Sequence, residues 1–208
     1  MKVVCLCGQL QNGKTKAAAH LSEVFNWPKV SFAKKVKEIY CNTFGVDLDF
    51  VEKWKVIKEP PPGFLLPVRQ SLQFIGDGFR QIDPDVWVRN CFKDNKPPMF
   101  IDDGRYFSEL FKTSKEGGLN VLAWRPGWEN DDPNGSEAEI RPVVDYFNSL
   151  GDFEGDTSEL SFPATSLSNL PKGVPYVHYF LKNNGTLDEL YEKIDRELVP
   201  FIRKKFDE

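Results

Sequence analysis

Residues 1–15, MKVVCLCGQLQNGKT, begin as an apolar run, break at Gly8 into a glycine-bounded loop, and arrive at Lys14 and Thr15. A run this short and this apolar, Val3 to Cys7, reads as a strand buried on both faces. Lys14 to Phe25, with Ala17, Ala18, Leu21, Val24 and Phe25 on its apolar side, reads as a helix. The loop between them, GQLQNGKT, has the spacing G-x-x-x-x-G-K-[ST] in a strand-to-helix context. Gly8 and Gly13 permit backbone angles that turn successive N–H groups inward, around Asn12 and toward the positive end of the helix. The result is a nest for phosphate oxygens. At that spacing Lys14 reaches the β- and γ-phosphates of ATP and the Thr15 hydroxyl sits on Mg²⁺.

Working outward from the loop, strand and helix patterns alternate. A strand is expected at 29–32 and a helix over 34–44 closed by Gly45. The stretch 47–67, which contains EPPPGFLLP, reads as a surface excursion that breaks any long helix. Helical periodicity returns over 68–79 and 86–92, followed by a strand at 99–103, a helix at 106–115 and a strand at 119–124. Residues 128–172 hold ten acidic residues against Arg141 and Lys172, and read as an acidic insertion and candidate lid with one helix at 141–150. A strand over 174–182 and a helix from the Thr186 cap through Leu198 close the chain. Strands separated by helices imply βαβ crossovers, and so an α/β fold of three layers with a mainly parallel central sheet and helical or irregular insertions. Ligands of such sheets sit beyond the carboxyl ends of the strands, where the opening loop lies.

Composition bounds the rest. A chain of 208 residues buries one full core, so a single domain over 1–208 is expected, with 45–97 as a helical region. A net charge of −4 argues against a surface built to capture a nucleic-acid polymer or an anionic membrane. No apolar run approaches the roughly twenty residues that span a bilayer, and the start lacks the pattern of a signal peptide, so a cytoplasmic protein with a small-molecule partner is expected. Cys5, Cys7, Cys41 and Cys91 form no Cys-x-x-Cys pair, which leaves them as reduced, mostly buried thiols rather than a zinc or redox centre.

Several further residues carry candidate chemistry. Arg69 and Gln73 stand four apart on one helical face and Arg80 seven beyond, and a guanidinium grips an acceptor phosphate bidentately. Asp102 and Asp103 end the strand MFIDD, where one carboxylate can orient Mg²⁺ through water. Arg105 and Glu109, four apart at the start of the next helix, are either site residues or an exposed ion pair. Arg125 follows the strand LNVLAW at its carboxyl edge, placed to stack on adenine or to neutralise a transferring phosphoryl group. A GTPase switch is disfavoured because Asn95-Lys96 runs into Pro97-Pro98 and DFEG lies inside the acidic insertion. A polynucleotide motor would be longer and more basic, whereas a small-molecule kinase fits the length.

Taken together, GQLQNGKT, SFAKKVKEIYCNTFGV, RQSLQFIGDGFRQIDPDVWV, FIDDGRYFSEL, VLAWRPG and KNNGTLDELYEKI resemble the bacteriophage-type deoxynucleoside monophosphate kinases, within the P-loop nucleotide kinases that also include dephospho-CoA kinase. The resemblance covers 1–127 and 176–198. It implies a P-loop kinase fold and transfer from ATP to a deoxynucleoside monophosphate. It places Arg69 and Trp87 on the acceptor, gives the D-x-R-x-x-x-E residues Asp103, Arg105 and Glu109 the acceptor's sugar and base, and lays Asn183 and Asn184 against the donor base. It also implies a homodimer and, for a phage protein, the cytoplasm of a host cell. A kinase for another small acceptor such as dephospho-CoA, and a regulatory nucleotide-binding protein without turnover, remain alternatives. One departure stands out: the region expected to bring a lid arginine is the acidic insertion, whose one arginine is Arg141.

Overall fold

The computed structural model describes residues 1–128, 135–160 and 170–207. Its Cα positions divide into two compact units, one of residues 1–30 and 95–208, the other of residues 31–94.

The first unit is built on the opening strand. β1 (Val3–Cys7) is buried along its whole length, because both of its faces are covered. The loop then leads into α1 (Lys14–Phe25), which Asn26 ends in a left-handed conformation at φ 52°. β2 (Lys29–Val30), β3 (Met99–Gly104), α6 (Phe107–Lys115) and β4 (Leu119–Trp124) follow in space around β1; the four helices between β2 and β3 belong to the other unit. β1 lies between β3 and β4 in parallel register, with Val4 opposite both Phe100 and Leu119. The insertion supplies α7 (Gly135–Ser149) and the two-residue β5 (Gly155–Asp156), and β6 (Tyr179–Lys182) precedes α8 (Leu187–Lys193) and α9 (Val199–Phe206). The strand order is β2-β3-β1-β4-β6-β5, parallel throughout except for the antiparallel edge pair β5 and β6. This is the expected α/β class.

Alternation along the strands sends their side chains to two faces. On one face Val4, Leu6, Val121 and Leu181 meet Ala17, Ala18 and Leu21 of α1 together with Leu190, Ile194, Leu198 and Ile202 of the closing helices. On the other, Cys7, Leu122 and Phe180 meet Leu110 of α6 and Ile140, Val143, Val144 and Phe147 of α7. Three layers result, with helices on both sides of the sheet.

The largest departures from the sequence expectations are at three boundaries. α7 starts at Gly135 rather than 141, running through Pro142. Its four buried apolar residues follow the i, i+3, i+4, i+7 spacing, and that packing outweighs the hydrogen bond the proline forgoes. The expected strand over 174–182 is shorter, because Val174–Tyr176, with Pro175, form a 3₁₀ turn before β6. The closing helix does not end at Leu198: Ile194–Leu198 widen into a π-helical turn directly before Pro200, and α9 carries on to Phe206.

The second unit is helical: α2 (Lys34–Phe44), α3 (Leu48–Trp54), α4 (Val68–Ile82) and α5 (Val86–Asp94). Its core gathers Tyr40, Val51 and Val68 with Phe50, Trp54, Phe64, Leu72 and Ile75 around them. The stretch 47–67 is therefore more than an excursion. Asp47 Oδ1 accepts from the Phe50 N–H at 2.7 Å and so caps α3, whose Phe50 and Trp54 then point into this core. No helix among the described residues is long and apolar enough to cross a membrane.

Candidate active site at the phosphate loop

The loop between β1 and α1 is held open by backbone conformations that side chains resist. Gly8 has φ +129°, and a Cβ there would lie 2.3 Å from the Ala123 carbonyl oxygen, so only glycine fits against β4. Gly13 has φ +93° and a Cβ there would meet Asn183 Nδ2 at 2.6 Å. Gln11 adds a third left-handed residue at φ 64°. Gly8 N donates to Gly104 O at 3.2 Å, tying the loop to the end of β3. Asn12 is wholly buried inside the loop, and neither atom of its carboxamide has a hydrogen-bond partner among the described residues. The Asn12 backbone carbonyl accepts from Asn183 Nδ2 at 3.4 Å.

Lys14 is buried, its Nζ donating to the Gln9 carbonyl. Burial, followed by the neighbouring Arg105 guanidinium, lowers its pKa to about 7, against the opposing pull of Glu137, Cys7 and Asp103. The cation is thus costly in this pocket until an anion joins it. Behind it, burial and the charge of Glu109 hold the Cys7 thiol protonated, at a pKa of about 12, against the opposing pull of Lys14. Thr15, by contrast, is exposed on the first turn of α1.

The end of β3 brings the acidic candidates beside the loop. Asp102 Oδ2 accepts from Lys29 Nζ at 2.9 Å, while the charge of Asp103 acts on Lys14. The paired residues Arg105 and Glu109 are not the exposed ion pair that their spacing allows. Glu109 is 2% exposed, and its Oε2 accepts from the backbone N–H groups of Arg105 at 2.8 Å and Tyr106 at 3.0 Å, capping the turn into α6. This leaves the Arg105 side chain to reach Ser136 Oγ at 3.4 Å and the carboxylate of Glu137.

Glu137 is the residue that sequence reasoning missed. It is 0% exposed, with Oε1 on Arg105 and Oε2 accepting from the Leu10 N–H of the phosphate loop at 3.0 Å. Nothing in its local sequence separates it from the other nine acids of the insertion. The signal that existed was the apolar spacing of α7, which fixes where the first turn of that helix lands.

Further candidates follow the ends of β4 and β6. Arg125 is exposed just after β4 with its guanidinium 5.8 Å from the Trp128 ring centre. Asn183 is buried and its backbone N–H donates to Trp124 O at 2.7 Å, whereas Asn184 is exposed and its Oδ1 accepts from Lys193 Nζ at 3.1 Å. Within the helical unit, Arg69 and Gln73 are half-buried on α4 and Arg80 pairs with Asp77 at 3.4 Å. Trp87 is 2% exposed and its indole N–H donates to Gly76 O at 2.9 Å, so the ring braces α5 against α4. Among the residues that the sequence points to, Thr15, Asp102 and Asp103 are oxygen donors of the hard kind that Mg²⁺ takes alongside phosphate and water.

No protein-family model matches the chain. In sequence it is 27% identical over 165 residues to an Acanthamoeba polyphaga mimivirus protein provisionally named a deoxynucleotide monophosphate kinase, covering 70% of this chain and 86% of the relative. Among solved structures, shikimate kinase from Acinetobacter baumannii in complex with shikimate aligns with a TM-score of 0.46 at 16% identity, over 97% of this chain and 94% of that one. Dephospho-CoA kinase from Campylobacter jejuni aligns with a TM-score of 0.41 at 8% identity, over 97% of each chain. The sequence likeness spans most of both chains, and the fold itself rests on the strand order and the loop described above.

Proposed function

We propose that this protein is a P-loop kinase that transfers the γ-phosphoryl group of ATP to a deoxynucleoside 5′-monophosphate, releasing ADP and the diphosphate. The observation that carries the donor half is the buried Lys14 following a loop with positive φ at Gly8, Gln11 and Gly13, conformations that suit a backbone nest for phosphate oxygens. The acceptor half is supported by the motifs around Arg69, Asp103 and Arg125, and by the name given to the mimivirus relative.

In this reading Gly8, Asn12, Gly13, Lys14 and Thr15 hold the donor phosphates, with Arg125, Asn183 and Asn184 toward the donor base. Arg69, Gln73, Arg80 and Trp87 are the helical unit's residues assigned to the acceptor, and Asp103, Arg105 and Glu109 are those assigned to it in the sheet unit. Thr15 and Asp102 would hold Mg²⁺, which would neutralise phosphate charge. Lys14 and Arg105 bear the charge that develops as the phosphoryl group leaves ADP. The attacking acceptor oxygen is already anionic, so no general base is needed, and catalysis is alignment plus charge stabilisation. From Ile140 onward the helical part of the insertion serves as a fixed wall, since Ile140, Val143, Val144 and Phe147 are each at most 2% exposed. A second copy of the chain would cover Phe74, Phe79 and Ile82, apolar side chains exposed on α4.

The test is ADP release from ATP and Mg²⁺ with a panel of deoxynucleoside monophosphates, ribonucleoside monophosphates and dephospho-CoA. Turnover that rises with deoxynucleoside monophosphates supports the proposal. Stimulation by dephospho-CoA alone moves the chain to that acceptor class, and nucleotide binding without any acceptor-stimulated turnover makes it a regulatory protein.

A further inference from the structure

Glu137 touches the two groups that the phosphate-loop reading reserves for phosphate. Its Oε2 accepts from the Leu10 N–H at 3.0 Å, and Leu10 is the third residue of the loop GQLQNGKT. Its Oε1 accepts from the Arg105 guanidinium at the end of β3. The carboxylate is fully buried, in reach of these donors and of the Lys14 charge, as a buried carboxylate requires. Two oxygens sharing one negative charge, held by a loop amide and an arginine, reproduce two oxygens of a bound phosphate.

We propose that Glu137 is a positioning residue that keeps the Leu10 N–H and Arg105 in place and yields both to a donor phosphate as ATP enters. The inference rests on the phosphate-loop reading and goes beyond it by naming the group that phosphate must replace. One N–H cannot serve two anionic acceptors at full strength, and a carboxylate that stays against the loop repels the polyphosphate across a poorly screened pocket. Release is local. Glu137 is the third residue of α7, and the first residue that anchors this helix to the sheet core, Ile140, comes three positions later. The first turn can let go while Ile140, Val143, Val144 and Phe147 stay packed. Nucleotide entry is thereby coupled to the start of the acidic insertion.

The deciding measurement is calorimetric binding of ATP, tripolyphosphate and adenosine to the full chain and to Glu137→Gln, with Lys14→Ala as the control for the loop. Glutamine keeps the shape and an acceptor for Leu10 but removes the charge. ATP and tripolyphosphate should bind at least tenfold more tightly to Glu137→Gln, and adenosine should bind no differently. A second measurement needs no variant: amide exchange over residues 135–141 of the unaltered chain should quicken when ATP binds, while the loop amides slow. Unchanged or weaker ATP binding by a folded Glu137→Gln, with ATP binding still lost in Lys14→Ala, overturns the role of Glu137 and leaves the phosphate loop standing. Unchanged exchange over 135–141 on ATP binding overturns it as well. Absence of ATP binding in both the unaltered chain and Glu137→Gln removes the loop reading and this inference together.

Discussion

The phosphate loop and helix α7 each bury one charge in the same pocket, and they do so by opposite routes. Lys14 is buried because its own neighbours in sequence dictate it: a five-residue strand, two glycines at fixed spacing and the first turn of α1. Glu137 is buried because Phe147, Val144, Val143 and Ile140, up to ten residues away along its helix, dock on the far face of the sheet and carry the first turn inward. A motif can specify one charge from within. Its partner came from packing, and a charge placed by packing leaves no local signature. The two regions should therefore fail differently when altered.

The largest effect is expected at Lys14. Under the proposed function, Lys14→Ala removes a charge that acts on the transferring phosphoryl group while leaving the apolar core intact, so phosphoryl transfer should fall by about a thousandfold or more. The chain should remain folded, since Lys14 adds nothing to the apolar packing, although Glu137 loses one cationic neighbour. Steady-state ADP release and a thermal melt on the same sample check both halves, and near-normal turnover would take the loop out of the mechanism.

Phe147→Ala attacks the other route. Phe147 is 0% exposed and packs on Phe180, with ring centres 5.2 Å apart, so the variant should lose about 3–4 kcal/mol of stability in urea unfolding. A loss below about 1 kcal/mol would mean that α7 is not part of the core and that Glu137 is not held by it.

His178 sharpens the contrast by showing burial acting on a group with no motif. Its Nδ1 accepts from the Asn120 N–H at 2.9 Å, and burial, then the charge of Lys205, lowers its pKa to about 4 against the pull of Asp156. A folded-state pKa below the ordinary 6.5 means that the fold favours the neutral ring. That contribution is complete above about pH 6.5 and disappears as pH falls toward 4, amounting to on the order of 2–3 kcal/mol. Unfolding free energies measured between pH 7 and 4 should fall by that amount in the unaltered chain and by clearly less in His178→Gln; parallel curves would assign the acid sensitivity elsewhere.

The smallest effect is expected in the helical unit, where Arg69 is half-buried on α4. Arg69→Ala should raise the acceptor KM by about tenfold, near 1.4 kcal/mol, and leave the KM for ATP within about twofold. Equal changes in both constants would separate Arg69 from the acceptor.

Much of this was legible in the sequence, for reasons that differ by region. β1, β4 and α1 match their expected bounds because short apolar runs between glycines and a 3.6-residue period are local signals. α3 was hidden by the prolines of EPPPGFLLP although Asp47, its cap, stood in plain view. Glu109 shows the limit of spacing: four residues from Arg105 allows a surface pair or a site residue, and the structure adds backbone capping from within the core. The edge pair of Gly155–Asp156 with β6 carries no pattern at all, since two residues have no period.

By itself the sequence determined the parallel α/β architecture, the phosphate loop and the place of Lys14, Thr15, Asp102 and Asp103 at strand and helix ends. These follow from backbone conformations and periodicities that a few adjacent residues set. Tertiary structure alone decided which carboxylates face the loop. Lys29 engages Asp102, the turn into α6 engages Glu109, and Glu137 comes from an insertion more than a hundred residues downstream of Leu10. The physical reason is that a charge is buried where opposite charges and donors from other segments meet it, and those meetings are fixed by the packing of whole helices on the sheet.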